Sequence, residues 1–393
     1  MRRFSANYIF PIGKPPIKNG IVVIDNNGEI LELIDPKGNE VELASMEFYN
    51  GIIVPGFINT HCHLELSHLK GKLERSTGIA GFVTQIRNLR GVTRDEIEKS
   101  IQRALNDEWN NGIVAIGDIC NTLDTIESKS KSDILFHNFI EQFGLSRENA
   151  FGRFSQSKEL LNQFQTLTAN ISSITPHSTY SISDKLWELI KKEITYQKSI
   201  VSIHYGESKE EYLLLKDHSG SLAASFNEQG IPLNLPDCKS PLEVVKTNIP
   251  KESKVLFIHN TFALKEEIQQ LAAYFKETYF VLCPSSNQFI EESLPAVKMI
   301  SELGVNIALG TDSYASSGTL SIFDQMMILQ KNFSELSFDV ILKWATYNGA
   351  KALNFESKVG SIEVGKKPGL NLITNFDFTN MKPTEKSRVK RLV

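Results

Sequence analysis

An apolar run that ends in two histidines lies near the start of the chain and reads IVPGFINTHCH (residues 53–63). A continuous apolar run is typical of a strand that is covered on both faces of a sheet. Side chains two positions apart on a strand point to the same face, so His61 and His63 can contact one ligand together. The segment therefore predicts a buried strand that presents two imidazoles at its carboxyl end.

Seven further apolar, β-rich runs follow, and segments with a helical pattern separate several of them. The eight predicted strands cover residues 52–63, 113–119, 134–143, 171–176, 200–204, 255–259, 279–283 and 305–312. This alternation is typical of βα units around a parallel sheet. The size and rhythm match a (β/α)₈ TIM barrel, whose active site lies at the carboxyl ends of the strands. We therefore expect an α/β protein with a TIM barrel over residues 51–345.

Both ends of the chain have a different pattern, with short strands and turn residues between them. Near the start, Gly20–Ile24 and Glu29–Ile34 flank an Asn27-Gly28 pair, which suits a tight type I′ hairpin. Near the end, residues 360–367 precede the apolar run Leu370–Ile373. Such strands cannot form a stable core alone. We predict that residues 1–50 and 346–393 together form one small β-sandwich domain.

Composition excludes several classes of function. The 393 residues include 42 Lys and Arg against 46 Asp and Glu, so a net charge of −4 gives no reason to expect a nucleic acid or a membrane surface as partner. Four scattered cysteines predict free thiols and a reducing compartment rather than a disulfide framework. No run is apolar enough for a membrane helix or a signal core. We therefore expect a cytoplasmic protein.

Metal-ligating residue types accumulate at the predicted strand ends. Five of the eight histidines and one aspartate occur there: His61, His63, His177, His204, His259 and Asp312. Three imidazole nitrogens and one carboxylate oxygen suit zinc or a similar divalent metal. The proposed ligand set is therefore His61, His63, His204 and Asp312. An isolated His-x-His pair is more often incidental, so the prediction depends on the other strand-end ligands.

Glu207 follows His204 by three residues, just beyond the strand. A metal lowers the pKa of its bound water, and a nearby carboxylate that is not a ligand can carry the proton to a leaving group. Glu207 is thus a candidate for proton transfer. The alternative is a solvated side chain in an acidic loop, because Glu210 and Glu211 follow.

Four segments together resemble the amidohydrolase superfamily, in particular its cytosine deaminase, chlorohydrolase and S-adenosylhomocysteine deaminase branch. They are residues 53–63, His204 to Glu207, CPSSN (283–287) and LGTDS (309–313), and the resemblance runs from about Gly20 to Ile373. It implies a barrel with a β-sandwich from both termini and one metal on His61, His63, His204 and Asp312. It also implies that Glu207 shuttles protons, that His259 orients or polarises the attacking water or the substrate, and that Asp312 accepts a proton from that water.

Binuclear members of the superfamily carry a carbamylated Lys at the end of the fourth strand, where this chain has Ile174-Thr175-Pro176-His177. The resemblance therefore implies one metal. His177 resembles the substrate-contacting histidine of purine-type deaminases, although a hydrogen-bonded loop histidine is the alternative.

A second candidate substrate contact lies in the segment LELSH (64–68), which resembles that of aminodeoxyfutalosine deaminases. Within it, Glu65 is expected to contact a nucleoside hydroxyl or a ring nitrogen. A carboxylate bonded to nearby backbone is the alternative for Glu65.

The resulting hypothesis is a metal-dependent hydrolytic deaminase that releases ammonia from a purine nucleoside derivative. Aminodeoxyfutalosine is placed ahead of S-adenosylhomocysteine and methylthioadenosine, while guanine and cytosine remain open. Hydrolysis of a cyclic amide, as in imidazolonepropionase-like relatives, hydrolysis of a carbon–chlorine bond, and an inactive barrel used as an assembly module are alternatives. Zinc is the favoured metal, with iron and manganese open.

Two long loops, 64–92 and 208–250, are expected to cover the mouth of the barrel. Residues 78–82 and Tyr205 are candidate apolar walls for a planar ring, with ordinary packing as the alternative. The partner is expected to be a small-molecule substrate. Many relatives dimerise, which leaves a homodimer open.

Overall fold

A computed structural model describes residues 1–39, 45–89 and 92–393, and it has mixed α/β architecture. The predicted terminal domain and the loop 64–92 therefore fall partly outside the described residues, at positions 40–44 and 90–91. The described strands are β1 (Arg2–Ile9), β2 (Ile17–Lys18), β3 (Ile21–Ile24), β4 (Ile30–Ile34), β5 (Met46–Pro55), β6 (Phe57–Cys62), β7 (Ile113–Cys120), β8 (Leu135–Gln142), β9 (Ile171–Pro176), β10 (Val201–Tyr205), β11 (Lys254–His259), β12 (Glu277–Leu282), β13 (Ile307–Leu309), β14 (Leu370–Asp377) and β15 (Lys382–Arg391).

Helices connect most of the parallel strands. They are α1 (Gly78–Asn88), α2 (Arg94–Asn110), α3 (Ile126–Ser130), α4 (Ala150–Leu167), α5 (Asp184–Gln197), α6 (Lys209–Asp217), α7 (Gly220–Glu228), α8 (Pro241–Asn248), α9 (Lys265–Tyr274), α10 (Pro284–Glu291), α11 (Val297–Glu302), α12 (Ile322–Asn332), α13 (Phe338–Lys343) and α14 (Gly349–Ala352). A 3₁₀ helix covers Leu64–Leu69, and a π-helical turn covers Trp344–Asn348.

Strands β6 to β13 are parallel and form two four-stranded sheets, in the orders β6-β7-β8-β9 and β10-β11-β12-β13. Single parallel bridges connect the sheets at both edges, Cys62 with Asp312 and Ser178 with His204. Backbone hydrogen bonds support these junctions, since Asp312 N donates to His61 O at 3.1 Å and His204 N donates to His177 O at 2.9 Å. The carboxyl ends of the strands therefore meet around one centre.

Each predicted parallel strand overlaps an observed one, and all but two agree within two residues at both ends. The expected strand 52–63 is divided at Gly56, so that β5 joins another sheet and β6 begins the parallel set. A Cβ at Gly56 would lie 2.6 Å from Pro368 O, so only glycine fits where the chain passes from β5 to β6. The expected strand 305–312 is shorter, because Asp312 has a left-handed backbone with φ of 58°.

Strands from both ends of the chain share one seven-stranded sheet. Its order is β15-β14-β5-β1-β3-β4, with β2 paired to β1. The expected type I′ turn at Asn27-Gly28 was wrong, because Gly28 has a positive φ of 80° and Asn27 does not. Instead, the carboxylate of Asp25 accepts hydrogen bonds from Asn27 N and Glu29 N, each at 2.8 Å, and stabilises a longer loop.

The core follows from the apolar runs of the sequence. Side chains of the parallel strands are buried almost throughout, because helices cover the outside and other strand residues fill the inside. The four cysteines are free and buried. Within the described ranges, we find no helix whose length and hydropathy would allow it to cross a membrane.

Candidate active site

Four predicted ligands converge where the two parallel sheets meet. The ligand atoms of His61, His63, His204 and Asp312 all lie within 4.8 Å of one another, and the four residues are buried. Nε2 of His61 is 3.1 Å from Nε2 of His63. Oδ1 of Asp312 lies 3.6 Å from Nε2 of His61 and 3.3 Å from Nε2 of His63. The structure therefore brings together the complete predicted ligand set.

The backbone and two serines orient Asp312. Its φ of 58° is unusual for a residue other than glycine, and such strain is typical of functional sites. Its second oxygen, Oδ2, accepts hydrogen bonds from Ser286 Oγ at 2.7 Å and from Ser316 Oγ at 2.5 Å. Because Oδ2 is bound in this way, Oδ1 faces the imidazoles.

The protonation states of this cluster suit a divalent cation. Burial lowers the pKa of His63 to about 3 and the pKa of His204 well below its ordinary value, and it also lowers the pKa of His61. Burial opposes ionisation of Asp312, but the hydrogen bond and charge of neighbouring imidazoles outweigh it and hold its pKa well below the ordinary value. Neutral imidazoles and an ionised carboxylate are the forms that bind metals.

His204 can serve only one ligand group at a time. Its Nδ1 lies 2.8 Å from the backbone oxygen of His177 and donates a hydrogen bond to it, so Nε2 is the nitrogen available to a metal. Glu141 and His177 form a second close group with His204, also within 4.8 Å. Because one ring nitrogen is already bonded to the backbone, His204 cannot contribute to two metal sites together. The arrangement is compatible with a single metal.

Glu207 lies beside this cluster, at the turn after β10. Gly206 has a positive φ of 56°, which turns the chain so that Glu207 borders the cavity. Burial, together with the charges of Asp312 and Glu291, raises the pKa of Glu207 well above its ordinary value. The Glu207 N–H donates to Oε2 of Glu211 at 3.2 Å, which fixes the turn. A buried carboxyl with a raised pKa can both hold and release a proton.

His259 is held between Glu207 and Asn287. Oδ1 of Asn287 lies 2.7 Å from Nδ1 of His259. An amide oxygen only accepts, so the ring proton lies on Nδ1 and Nε2 carries a lone pair. Nε2 lies 3.4 Å from Oε1 of Glu207. Burial lowers the pKa of His259, which favours the neutral ring.

A cavity opens next to the cluster and has both polar and apolar lining residues. The polar side chains include those of His63, Glu65, Asn121, Glu141, His177, His204, Glu207 and Asp312. The apolar side chains include those of Leu66 and Phe143 and an apolar wall formed by Ile79, Phe82, Val83 and Ile86 on α1 and Leu222 and Phe226 on α7. The long segments after the first and fifth parallel strands supply much of this wall as helices α1 and α7. Tyr205 does not line the cavity but packs against Phe257 in the core, with ring centroids 5.3 Å apart.

Glu65 and His177 both line this cavity. Oε1 of Glu65 accepts from Asn121 N at 2.8 Å, and Oε2 accepts from Thr122 N at 3.1 Å. Nδ1 of His177 is 2.9 Å from Ser181 Oγ, so its other nitrogen is the one available to a ligand. Both side chains are thus fixed by the protein and border the space that a substrate would fill.

Several residues of the site received no role from the sequence. Ser286 and Asn287, within the CPSSN segment, contact Asp312 and His259 from a distant part of the chain, whereas Ser316 contacts Asp312 from four residues further along. Glu141 lies near the end of the third parallel strand, and its position as a polar residue at a predicted strand end was a signal that could have indicated it.

A family model described as the amidohydrolase family matches residues 52–388. The match extends from β5 to β15 and includes all four clustered ligands. The chain belongs to the amidohydrolase family. This identification agrees with the resemblance that the sequence motifs indicated.

Curated relatives cover nearly the whole chain. An adenosine deaminase of Helicobacter pylori is 26% identical over 348 residues, which are 86% of this chain and 82% of that protein. An aminodeoxyfutalosine deaminase of Nitratiruptor sp. is 28% identical over 374 residues, or 91% and 87%. The solved structure of Helicobacter pylori aminofutalosine deaminase with methylthio-coformycin matches with a TM-score of 0.84, 21% identity and 100% coverage of both chains. This structural match shows a shared fold.

Proposed function

We propose that this amidohydrolase is a metal-dependent hydrolytic deaminase of a purine nucleoside derivative. The observation that carries the proposal is the position of Glu207 and His259 directly beside the four clustered ligands, with Glu207 lining the adjoining cavity. Relatives named as deaminases of adenosine and of aminodeoxyfutalosine support the reaction class.

The architecture that we infer for this reaction is a closed eight-stranded TIM barrel over residues 51–345 with a β-sandwich domain from residues 1–50 and 346–393. The two edge bridges between the parallel sheets support closure of the barrel. Pairing of β14 with β5 supports a terminal domain built from both ends of the chain. In such a barrel the strand carboxyl ends form the active site.

His61, His63, His204 and Asp312 would hold the metal, and the neutral imidazoles and ionised carboxylate described above fit a divalent ion. Three nitrogens and one oxygen favour zinc, with iron and manganese as alternatives. When bound, the ion would lower the pKa of a water and polarise the reacting carbon–nitrogen unit.

The protein side chains would then handle the protons. Asp312 would accept a proton from the attacking water, and Glu207 would transfer a proton to the amino group that leaves as ammonia. The lone pair on Nε2 of His259 would orient the water or the substrate beside Glu207. Each of these groups is buried, so bulk water would not compete for the transferred proton.

The polar and apolar lining residues of the cavity suggest the type of substrate. Glu65 and His177 would contact the ribose or the ring. The apolar wall formed by α1 and α7 would receive an apolar or aromatic 5′ substituent. We therefore place aminodeoxyfutalosine ahead of S-adenosylhomocysteine and methylthioadenosine, and all three ahead of a free base such as guanine or cytosine.

The test is ammonia release by zinc-loaded protein with amino-purine nucleosides, amino-pyrimidines and free bases. We expect release from a 5′-substituted adenosine and loss of this activity in Glu207→Gln. Ring opening of a cyclic amide or chloride release without ammonia would overturn deamination in favour of the other amidohydrolase reactions.

The free, buried cysteines support a cytoplasmic location. A homodimer would be identified by sedimentation.

A further inference from the structure

A fully buried ion pair lies next to the candidate site. Nζ of Lys129 is 2.5 Å from Oδ2 of Asp118, and neither side chain is exposed. Moving two charges out of water costs several kcal/mol per ion, and their attraction often fails to offset this cost. A buried pair is therefore weak evidence for stability. Its position relative to the site offers a better explanation.

Lys129 is completely occupied by acceptors inside the protein. Besides Asp118, its Nζ donates to Oδ1 of Asn138 at 2.7 Å and to Sγ of Cys120 at 3.2 Å. Three N–H groups thus meet three acceptors. Burial opposes the charge of Lys129, but the charge of Asp118 outweighs burial and raises the pKa of Lys129. Lys129 therefore stays charged and holds Oδ2 of Asp118 in place.

The other carboxylate oxygen of Asp118 binds the turn that follows β6. Oδ1 accepts a hydrogen bond from the backbone N–H of Leu64 at 2.9 Å. Leu64 stands between His63, a clustered ligand, and Glu65, a cavity carboxylate. The N–H of Leu64 lies at the start of the 3₁₀ helix, where a helix has no internal acceptor for it. A charged acceptor makes a bond roughly twice as strong as a neutral one.

The same turn is attached a second time to the end of β7. Glu65 accepts from the backbone N–H groups of Asn121 and Thr122, which directly follow the strand that carries Asp118. Cys62 is also in register with Asp118 in the pairing of β6 and β7. Cys62, Leu64 and Glu65 are therefore each attached to the carboxyl end of β7 or to the residue that follows it.

We propose that the buried Asp118–Lys129 pair is a positioning pair that fixes the turn from His63 to Glu65, and with it the metal ligand and the cavity carboxylate. The proposal rests on the proposed function in one respect, since it takes His63 as a metal ligand. Asp118 and Lys129 line neither the ligand cluster nor the cavity. They act through the backbone of Leu64.

Two double variants separate positioning from stability. Asp118→Asn with Lys129→Met removes both charges but retains an amide oxygen that can accept from Leu64 N. Asp118→Leu with Lys129→Met removes the same charges at similar volume and also removes the acceptor. Both avoid leaving an unpaired charge in the core, which would destabilise the protein by itself.

Zinc affinity is measured by competition with a chelator, and coordination by the visible spectrum of the cobalt-substituted protein. We expect the Asn variant to bind zinc within about 3-fold of the wild type. We expect the Leu variant to bind about 10- to 100-fold more weakly, as for other groups that orient metal ligands. Its cobalt spectrum should also change, while the melting temperatures of the two metal-free variants remain similar.

Zinc affinity and cobalt spectra equal to those of the wild type in both variants would overturn the proposal and assign the pair to stability alone. If the Leu variant does not fold, Asp118→Ser with Lys129→Met provides the same comparison, because the shorter side chain cannot reach Leu64 N. Zinc affinity is independent of turnover. Tight zinc binding without ammonia release from any substrate would therefore contradict the proposed function and leave the positioning proposal intact.

Discussion

Nε2 of His259 lies 3.4 Å from Oε1 of Glu207, although 52 positions separate the two residues in the chain. His259 is the last residue of β11, and Glu207 lies two residues beyond the end of the adjacent parallel strand β10. Each is buried, and the raised pKa of Glu207 complements the lowered pKa of His259. A protonated carboxyl that faces a neutral imidazole is the arrangement that the proposed proton transfer through Glu207 requires.

The first prediction concerns Glu207. Glu207→Gln should lower kcat by about 100- to 10,000-fold, because the amide cannot deliver a proton to the leaving amine. Bound zinc should remain at the wild-type level, since Glu207 is outside the ligand cluster. Steady-state kinetics and metal analysis check the two parts. Glu266→Gln on the exposed side of α9 is the matched control and should behave as the wild type. Retention of full activity in Glu207→Gln would assign proton transfer to another group.

The second prediction concerns Asn287. Asn287→Leu removes the acceptor that fixes the proton on Nδ1 of His259. We expect kcat to fall by about 10-fold or more with a smaller change in KM, because the orientation of His259 matters most during the reaction. Asn287→Asp retains an acceptor and should rescue part of the loss. A kcat of Asn287→Leu equal to that of the wild type would show that this hydrogen bond is not needed.

Much of the site could be predicted because its residues stand where parallel strands end. His61, His63, His204, His259 and Asp312 were identified in this way, since strand ends on one edge bring distant residues together. Asn287 was noted only as part of the CPSSN segment, and Asp118 and Lys129 were not identified. Their contacts are hydrogen bonds and an ion pair between separate elements, which leave no periodic pattern in the sequence. Helices α1 and α7 within the two long loops were not predicted. Helix α7 has only nine residues, and its buried Leu222 and Phe226 line the cavity.

The third prediction is a pH dependence of stability from Glu211. Burial raises its pKa to about 8, from an ordinary value of 4.5. Between these values the folded protein keeps a proton that the unfolded chain has released, so stability falls as the pH rises. A single such group contributes about 1.4 kcal/mol per pH unit.

Glu211→Gln removes this dependence because the amide is neutral at every pH. We expect urea unfolding, measured in the presence of chelator, to give similar midpoints for both proteins at pH 5 and a higher midpoint for Glu211→Gln at pH 8. If Glu211 were ionised in the folded state, the urea midpoint of Glu211→Gln would instead be lower than that of the wild type at both pH values.

The fourth prediction tests the apolar wall of the cavity. Phe226 on α7 is 5% exposed and lines the cavity as part of this wall. A deleted aromatic contact in a hydrophobic pocket should cost about 1–3 kcal/mol of transition-state binding for a substrate that reaches it. We therefore expect Phe226→Ala to lower kcat/KM by about 10- to 100-fold for methylthioadenosine, and by less than about 3-fold for adenosine.

The matched control is Phe151→Ala, which removes the same side chain at a position that is 72% exposed. It should leave kcat/KM unchanged for both nucleosides. Equal losses for methylthioadenosine and adenosine in Phe226→Ala would mean that this phenylalanine supports the fold of α7 rather than the 5′ substituent. A loss confined to methylthioadenosine would instead assign specificity for the 5′ substituent to this helix.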